Sequence, residues 1–359
     1  MFRKTLLLAF TITFLGCKND TKKSNKVIND SITNDIKILE NNIDVRSFPK
    51  ETDISKFPKT EFVTTLESKI NTNKNIVYCV TMLYAWNEIK KTINLPIQID
   101  ANFKHLLLLD TSVSFKDVLN KDEYTIINGI NGDSIRVKAE FSKSLEFETE
   151  LNEYKDRLKF NNEEVMSFGV TGYNSYEKLK IISIIYYKND NNFVIKLQPK
   201  DSNHEIVLFK SEKNFTKMSD INDEVIKLSA QGNKDKQNEK IKWKYDILVE
   251  DEIIIPKFNF NIEKTYKDLA GNTFSTKELN YNIERAWQRT AFILDEKGAK
   301  SESEAVIEYV TEEIEEDPNK SKPKKMIFDK PFFIMLKKTS SQNPYFGLWI
   351  NNTELMIKK

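Results

Sequence analysis

Five consecutive apolar residues, Phe332-Phe333-Ile334-Met335-Leu336, leave no polar face along a stretch long enough for a strand. Neighbouring side chains of a strand point to opposite faces, so Phe332, Ile334 and Leu336 need one cover while Phe333 and Met335 need another. Such a strand has to be sandwiched between layers. Asn343-Pro344 is a turn signal, and Tyr345 to Ile350 is a second apolar run, so the two stretches are expected to form a buried hairpin. The composition supplies the packing groups this needs: 23 Phe and 13 Tyr, against only 9 Gly for turns of the kind that cradle phosphates.

Strand-like runs dominate from about residue 134 onward. The expected strands are 134–141, 165–170, 178–187, 193–198, 205–209, 241–249, 252–262, 286–295, 327–337 and 344–350. Lys188 to Asn192 is a polar connection between two β-rich runs and predicts a hairpin. Polar loops are expected at 230–240 and at 315–325, where Pro318 and Pro323 interrupt any ladder or helix. Residues 75–93 place Met82, Trp86, Ile89 and Ile93 at helical spacing, with Asn87, Glu88, Lys90 and Lys91 opposite, which predicts a half-buried helix. The run Leu106 to Leu109 fits a buried strand or part of a helix. The expected class is α+β with mostly antiparallel or mixed sheets.

The N-terminus has a different grammar. Arg3 and Lys4 precede an apolar run from Thr5 to Leu15, which ends in Phe14-Leu15-Gly16-Cys17. That layout is a secretory signal, too short to span a bilayer as a stable helix. Its last four residues resemble a bacterial lipobox, in which the cysteine receives the lipid, although Phe14 is bulkier than the usual aliphatic residue. A plain cleaved signal with a chance cysteine is the alternative. Residues 18–45 are polar and predict a solvated tether, leaving 46–359 as the folded body. The expected location is the bacterial cell envelope, at the outer membrane, through a lipid on Cys17.

Much chemistry is excluded. The formal charge is +1 and there is no long basic stripe, which argues against nucleic acid as the main partner. With Cys17 modified, Cys79 is the one thiol left, so neither an internal disulfide nor a cysteine zinc site can form. The apolar neighbours of Cys79 predict a buried, inert thiol. The two histidines differ in setting: His105 is expected at the edge of the core and His204 in a loop. No nucleophile elbow, phosphate loop or HExxH motif is present. No enzyme activity, cofactor or metal is expected, and Glu312-Glu313 with Glu315-Glu316-Asp317 is read as a solvated charge run.

Blocks in the last 220 or so residues, taken in order, resemble the serpin family. Phe328-Asp329-Lys330-Pro331-Phe332-Phe333 and Tyr345-Phe346-Gly347-Leu348-Trp349 look like the two buried C-terminal strands of a serpin. Ile255-Pro256-Lys257-Phe258-Asn259-Phe260 with Tyr266-Lys267-Asp268-Leu269 is similar to a central-sheet strand and helix. Phe292 to Gly298 resembles the strand that leads into the reactive loop. Weaker echoes are Ala139-Glu140-Phe141, Phe160 to Val165, and Tyr187 through Pro199. The resemblance implies a serpin-like fold with a reduced set of packed helices, a pairing of Lys257 with Glu296, and a reactive loop within 299–325. It departs from the pattern where Gln288 occupies the place of a histidine in the polar cluster under the main sheet. It departs again where Asn75 to Val80 replaces an Asn-x-x-x-Ser-Pro signature, and where the chain before residue 137 is short.

After Gly298, Ala299, Ser301, Ser303 and Ala305 alternate with Lys300, Glu302 and Glu304. A small face and a charged face at period two suit a strand added to a sheet. Serpins insert their cleaved loop in that way. Glu296, Gly298, Ala299, Ser301, Ser303 and Ala305 would form the hinge, Gly298 giving it backbone freedom. The same residues also fit a helix, since Ser301 to Glu304 is a capping-box pattern and Ala305, Val306, Tyr309 and Val310 share one face. Two scissile bonds fit: Lys320-Ser321, counted from Phe328, and Glu312-Glu313, counted from Gly298. The loop exceeds family length by roughly eight residues, which slows insertion. The expected partner is an extracellular or periplasmic serine or cysteine protease, met by a monomer; a non-inhibitory binding or structural lipoprotein is the alternative.

Overall fold

The computed structural model describes residues 47–131, 134–171, 176–299 and 323–358. The doubly apolar run forms β20 (Phe332–Lys338), and it lies in the middle of a seven-stranded sheet. The order is β10 (Ile182–Asn189), β11 (Asn192–Leu197), β12 (His204–Lys210), β20, β21 (Phe346–Ile350), β3 (Asn75–Cys79) and β2 (Thr60–Val63). Phe333 stands in register with Phe209 on one side and Trp349 on the other. Every residue from Phe332 to Leu336 is at most 6% exposed, as a strand covered on both faces requires. All pairs are antiparallel except β2 with β3. The expected hairpins at 188–192 and 343–344 are both present.

Three elements differ from the sequence expectation at this sheet. Residues 75–79 are a strand rather than the start of a helix, because all five are buried and pair with β21; the helix α1 (Thr81–Ile93) starts after them. Residues 230–240 are not wholly loop, because α4 (Met218–Asp235) runs into them. Its Ile221, Val225, Leu228 and Gly232 repeat at helical spacing and face the sheet, and Asn222 is buried with them. Gly232 passes so close to β10 that a Cβ would lie 1.9 Å from the Ile185 carbonyl oxygen. Residues 242–245 coil into a 3-10 turn instead of a strand, locked to the end of α4 by the Tyr245 hydroxyl donating to Asp235 at 2.7 Å.

The segments expected as single strands at 178–187, 252–262 and 327–337 are each divided. The first begins as α3 (Tyr176–Lys180) before β10. The second breaks at Lys257 into β13 (Glu252–Pro256) and β14 (Phe258–Thr265), which belong to different sheets. The third gives β19 (Lys325–Ile327) and then β20, parted at Pro331, whose missing N–H cannot join a ladder. A four-stranded sheet follows the order β19, β13, β9 (Glu163–Val170) and β8 (Asn152–Phe160). A small sheet joins β4 (Gln98–Ile99), β15 (Thr273–Ser275) and β16 (Asn280–Asn282). Leu106 to Leu109 belongs to a helix, α2 (Lys104–Thr111), with Leu106 and Leu109 buried.

The remaining strands form three small sheets. β1 (Thr52–Asp53), β14 and β17 (Trp287–Leu294) form one three-stranded sheet. β5 (Tyr124–Asn131) and β6 (Ser134–Phe141) form a separate hairpin packed on α1. β7 (Leu145–Glu146) pairs with β18 (Gly298–Ala299). The α+β class with mixed sheets and few helices is the one observed.

Candidate functional site: a hinge beside an open sheet edge

β17 is paired along one edge only, from Phe258 opposite Leu294 to Lys264 opposite Gln288 and Thr265 opposite Trp287. Among the described residues its other edge has no strand partner, and β6 likewise pairs only with β5. Both strands reach α1: β6 packs against the helix, and Gln288 of β17 bonds to its first residue, Thr81. The Gln288 amide donates to Thr81 Oγ1 at 2.7 Å and to the Cys79 carbonyl at 3.0 Å. The Tyr266 hydroxyl donates to Gln288 Oε1 at 2.7 Å. All four residues are buried, so Gln288 keeps a satisfied polar cluster beneath the sheet without a histidine. Burial raises the Tyr266 phenol well above its ordinary range and also pushes the Cys79 thiol up, leaving it protonated and unreactive. Two positions further along β17, the buried Thr290 Oγ1 has no hydrogen-bond partner among the described residues.

The turn at the top of β17 is tightly built. Asp295 is bridged to Gly298, and Gly298 and Ala299 then pair with Glu146 and Leu145 of β7. Gly298 has φ of +92°, and a Cβ there would lie 2.6 Å from the Leu145 carbonyl oxygen and 2.8 Å from the Phe147 nitrogen. Only glycine meets both conditions without displacing backbone. Beside the turn, Lys257 Nζ lies 2.7 Å from Glu296 and 2.9 Å from Glu153. The Lys257 side chain is 7% exposed, because the break between β13 and β14 turns it inward. Burial works to lower its pKa, but the two carboxylates outweigh burial and raise it above the ordinary lysine value.

The chain re-enters the body at a second fixed point. The Lys324 and Asp251 side chains are 1% and 0% exposed, with Nζ 2.9 Å from Oδ2, and the Lys324 backbone N–H donates to Asp251 Oδ1 at 2.7 Å. Trp243 lies over the ammonium at 5.7 Å. Nothing in the sequence pattern singled out this pair, since each residue stands in a charged or polar run.

Of the residues expected to act, Glu296, Gly298 and Lys257 come together here. Cys17, Ser301, Ser303, Ala305, both candidate scissile pairs (Glu312-Glu313 and Lys320-Ser321), the signal and the tether 18–45 lie outside the described residues. The two histidines exchange their expected settings. His105 is largely exposed, with Nδ1 2.8 Å from Asp268. His204 opens β12 and is 1% exposed, because the strand starts one residue earlier than its apolar run.

Neither a family model nor a curated protein matches the chain. Solved structures do. The chain is similar to tengpin, a thermophilic serpin in its native state, at 12% identity and a TM-score of 0.43, covering 85% of this chain and 100% of that one. It is similar to maspin at 14% identity and a TM-score of 0.34, covering 74% and 66% of the two chains. A serpin from the trematode Schistosoma haematobium matches at 13% identity and a TM-score of 0.35, covering 62% and 58%. Likeness at these scores carries no function with it. The solved structures that the chain resembles are serpins, and the likeness concerns the fold alone.

Proposed function

We propose that this protein is a lipid-anchored protease inhibitor of the cell envelope, held by Cys17, whose segment 299–325 is bait for a serine or cysteine protease. Cleavage at Lys320-Ser321, or at Glu312-Glu313, would free the segment to enter the open edge of β17 as a new strand. The register of the hinge carries this reading. The bridge between Asp295 and Gly298 sets an antiparallel pairing, and its continuation brings Ser301 opposite Phe292, Ser303 opposite Thr290 and Ala305 opposite Gln288. Those three β17 residues are buried, so the small side chains meet the core and a serine hydroxyl meets Thr290 Oγ1, which has no hydrogen-bond partner among the described residues. On the other face, Glu304 comes opposite the exposed Arg289.

The test mixes the purified protein with trypsin-like and subtilisin-like proteases. An SDS-stable adduct and a higher melting temperature after cleavage of 299–325 are expected. A higher melting temperature without the adduct would leave strand insertion standing and favour the non-inhibitory binding role, which the length of the segment supports. Cleavage with neither effect would overturn insertion itself.

A further inference from the structure

The buried histidine has no part in the bait reading, and its surroundings are unusual. His204 Nε2 lies 2.8 Å from Glu123 Oε1, and the same carboxylate oxygen lies 2.5 Å from Lys143 Nζ. Asp201 Oδ2 is 3.6 Å from both the imidazole and the ammonium. Glu123 immediately precedes β5, Lys143 follows β6, and Asp201 and His204 lead into β12 of the large sheet. The cluster therefore stitches the open end of the β5–β6 hairpin to the seven-stranded sheet. The same loop holds β7: Lys200 N–H donates to the Glu146 carbonyl at 2.7 Å, and Phe147 is bridged to Pro199. Glu146 in turn is the partner of Gly298.

We propose that Glu123, Lys143, Asp201 and His204 form a proton-sensitive latch, closed while His204 is neutral, that holds β5–β6 and β7 against the large sheet. The neutral ring fits the site: Nε2–H donates to Glu123, whose charge Lys143 already balances. Nδ1 is buried with no hydrogen-bond partner among the described residues, so a proton added there would find no acceptor among them. The groups facing the ring from other elements offer none. Tyr345 presents its ring edge-on at 5.6 Å between centroids, and burial keeps its phenol un-ionised. Lys338, the register partner of His204 on β20, is a second cation, and its Nζ donates to Asn120. Burial first, and then Lys143, push the imidazole below its ordinary value, outweighing Glu123 and Asp201. Burial alone would raise Glu123, but the Asn120 N–H, Lys143 and His204 hold it at about 2, so it stays charged while the histidine titrates.

A histidine whose folded pKa is depressed favours the closed latch above the unfolded value of 6.5 and loses that preference as pH falls below it. The latch is independent of protease inhibition, because it concerns a seam present before any cleavage. The test is an NMR titration of the two histidines in the intact protein, with amide exchange followed from pH 8 to pH 5. His204 is expected to titrate below the ordinary histidine value of 6.5. Protection over 124–146 is expected to fall by about tenfold for each pKa unit of depression, while β20 and β21 keep theirs. His204→Gln should flatten this response. Titration of His204 at or above 6.5, or an unchanged acid response in His204→Gln, would overturn the proposal. Should that variant not fold, Lys143→Met serves instead: removing the cation should raise the His204 pKa and shrink the acid response, and an unmoved response would refute the latch.

Discussion

The seven-stranded sheet and the β1–β14–β17 sheet come from the same chain yet solve opposite problems. In the first, β20 has strands on both edges and apolar cover on both faces, and its order interleaves strands from distant parts of the sequence. Nothing in it has an unused bonding edge except at its borders. In the second, among the described residues, β17 has an unpaired edge and a buried threonine hydroxyl without a partner, beside a buried polar cluster. Closed packing fixes a structure, whereas a bare edge beside a glycine hinge leaves room for another strand. The difference teaches that stability and capacity for change are held in separate sheets, so substitutions in each should have different signatures.

Phe333→Ala tests the closed sheet and should have the largest effect. The side chain is fully buried between Phe209 and Trp349, and its removal should destabilise the protein by about 3–5 kcal/mol. Thermal unfolding should show the loss equally in intact protein and in protein cleaved within 299–325. A loss confined to one of the two forms would break the division between the sheets.

Asp251→Asn comes next. It leaves a fully buried Lys324 ammonium facing a neutral amide, and breaking one half of such a pair is expected to cost about 3–5 kcal/mol. Replacing both partners, as Asp251→Leu with Lys324→Met, should recover most of that loss, since well-packed apolar groups often serve as well as a buried pair. Denaturant midpoints of the single and double variants decide it. A double variant no better than the single one would mean that Asp251 acts through its bonds to the Leu248 and Lys324 backbone N–H groups instead.

How far the sequence reveals these sheets follows the same division. Phe332 to Leu336 was legible because an unbroken apolar run has one solution, burial on both faces. Lys257 and Glu296 were legible through the ordered blocks around them. By contrast, β5 and β8 carry Asn128, Gly129, Lys155 and Asp156 among their residues, and polar strands show no clean alternation to read. Asn75 to Cys79 was absorbed into the helix that follows, because apolar spacing over five residues fits either period. The Glu123–His204 and Asp251–Lys324 pairs were invisible for another reason. Their partners are 81 and 73 residues apart, and only tertiary packing brings them together.

Gly298→Ala probes the hinge. The φ of +92° and the 2.6 Å approach to Leu145 both disfavour a Cβ, so the intact protein should lose about 1–3 kcal/mol. If cleavage releases this turn into an inserted strand, the same substitution should matter less in the cleaved form. Melting temperatures of the two forms, each with and without the substitution, give the comparison. Equal losses would show that the hinge stays as it is after cleavage.

The smallest effect is expected at the ion pair beside that hinge. Glu296→Gln leaves Lys257 with Glu153, whose side chain is 54% exposed and screened by water, so a loss of about 1 kcal/mol is expected at neutral pH. The sign with pH follows from the raised lysine. A lysine whose folded pKa exceeds its unfolded value of 10.5 contributes stability that is complete below 10.5 and disappears as pH rises through the folded value. The gap between wild type and Glu296→Gln should therefore be constant from pH 7 to 9 and narrow above about 10.5. Denaturant midpoints across that range measure it. A gap that persists undiminished at high pH would mean that the charge on Lys257 is incidental to the hinge.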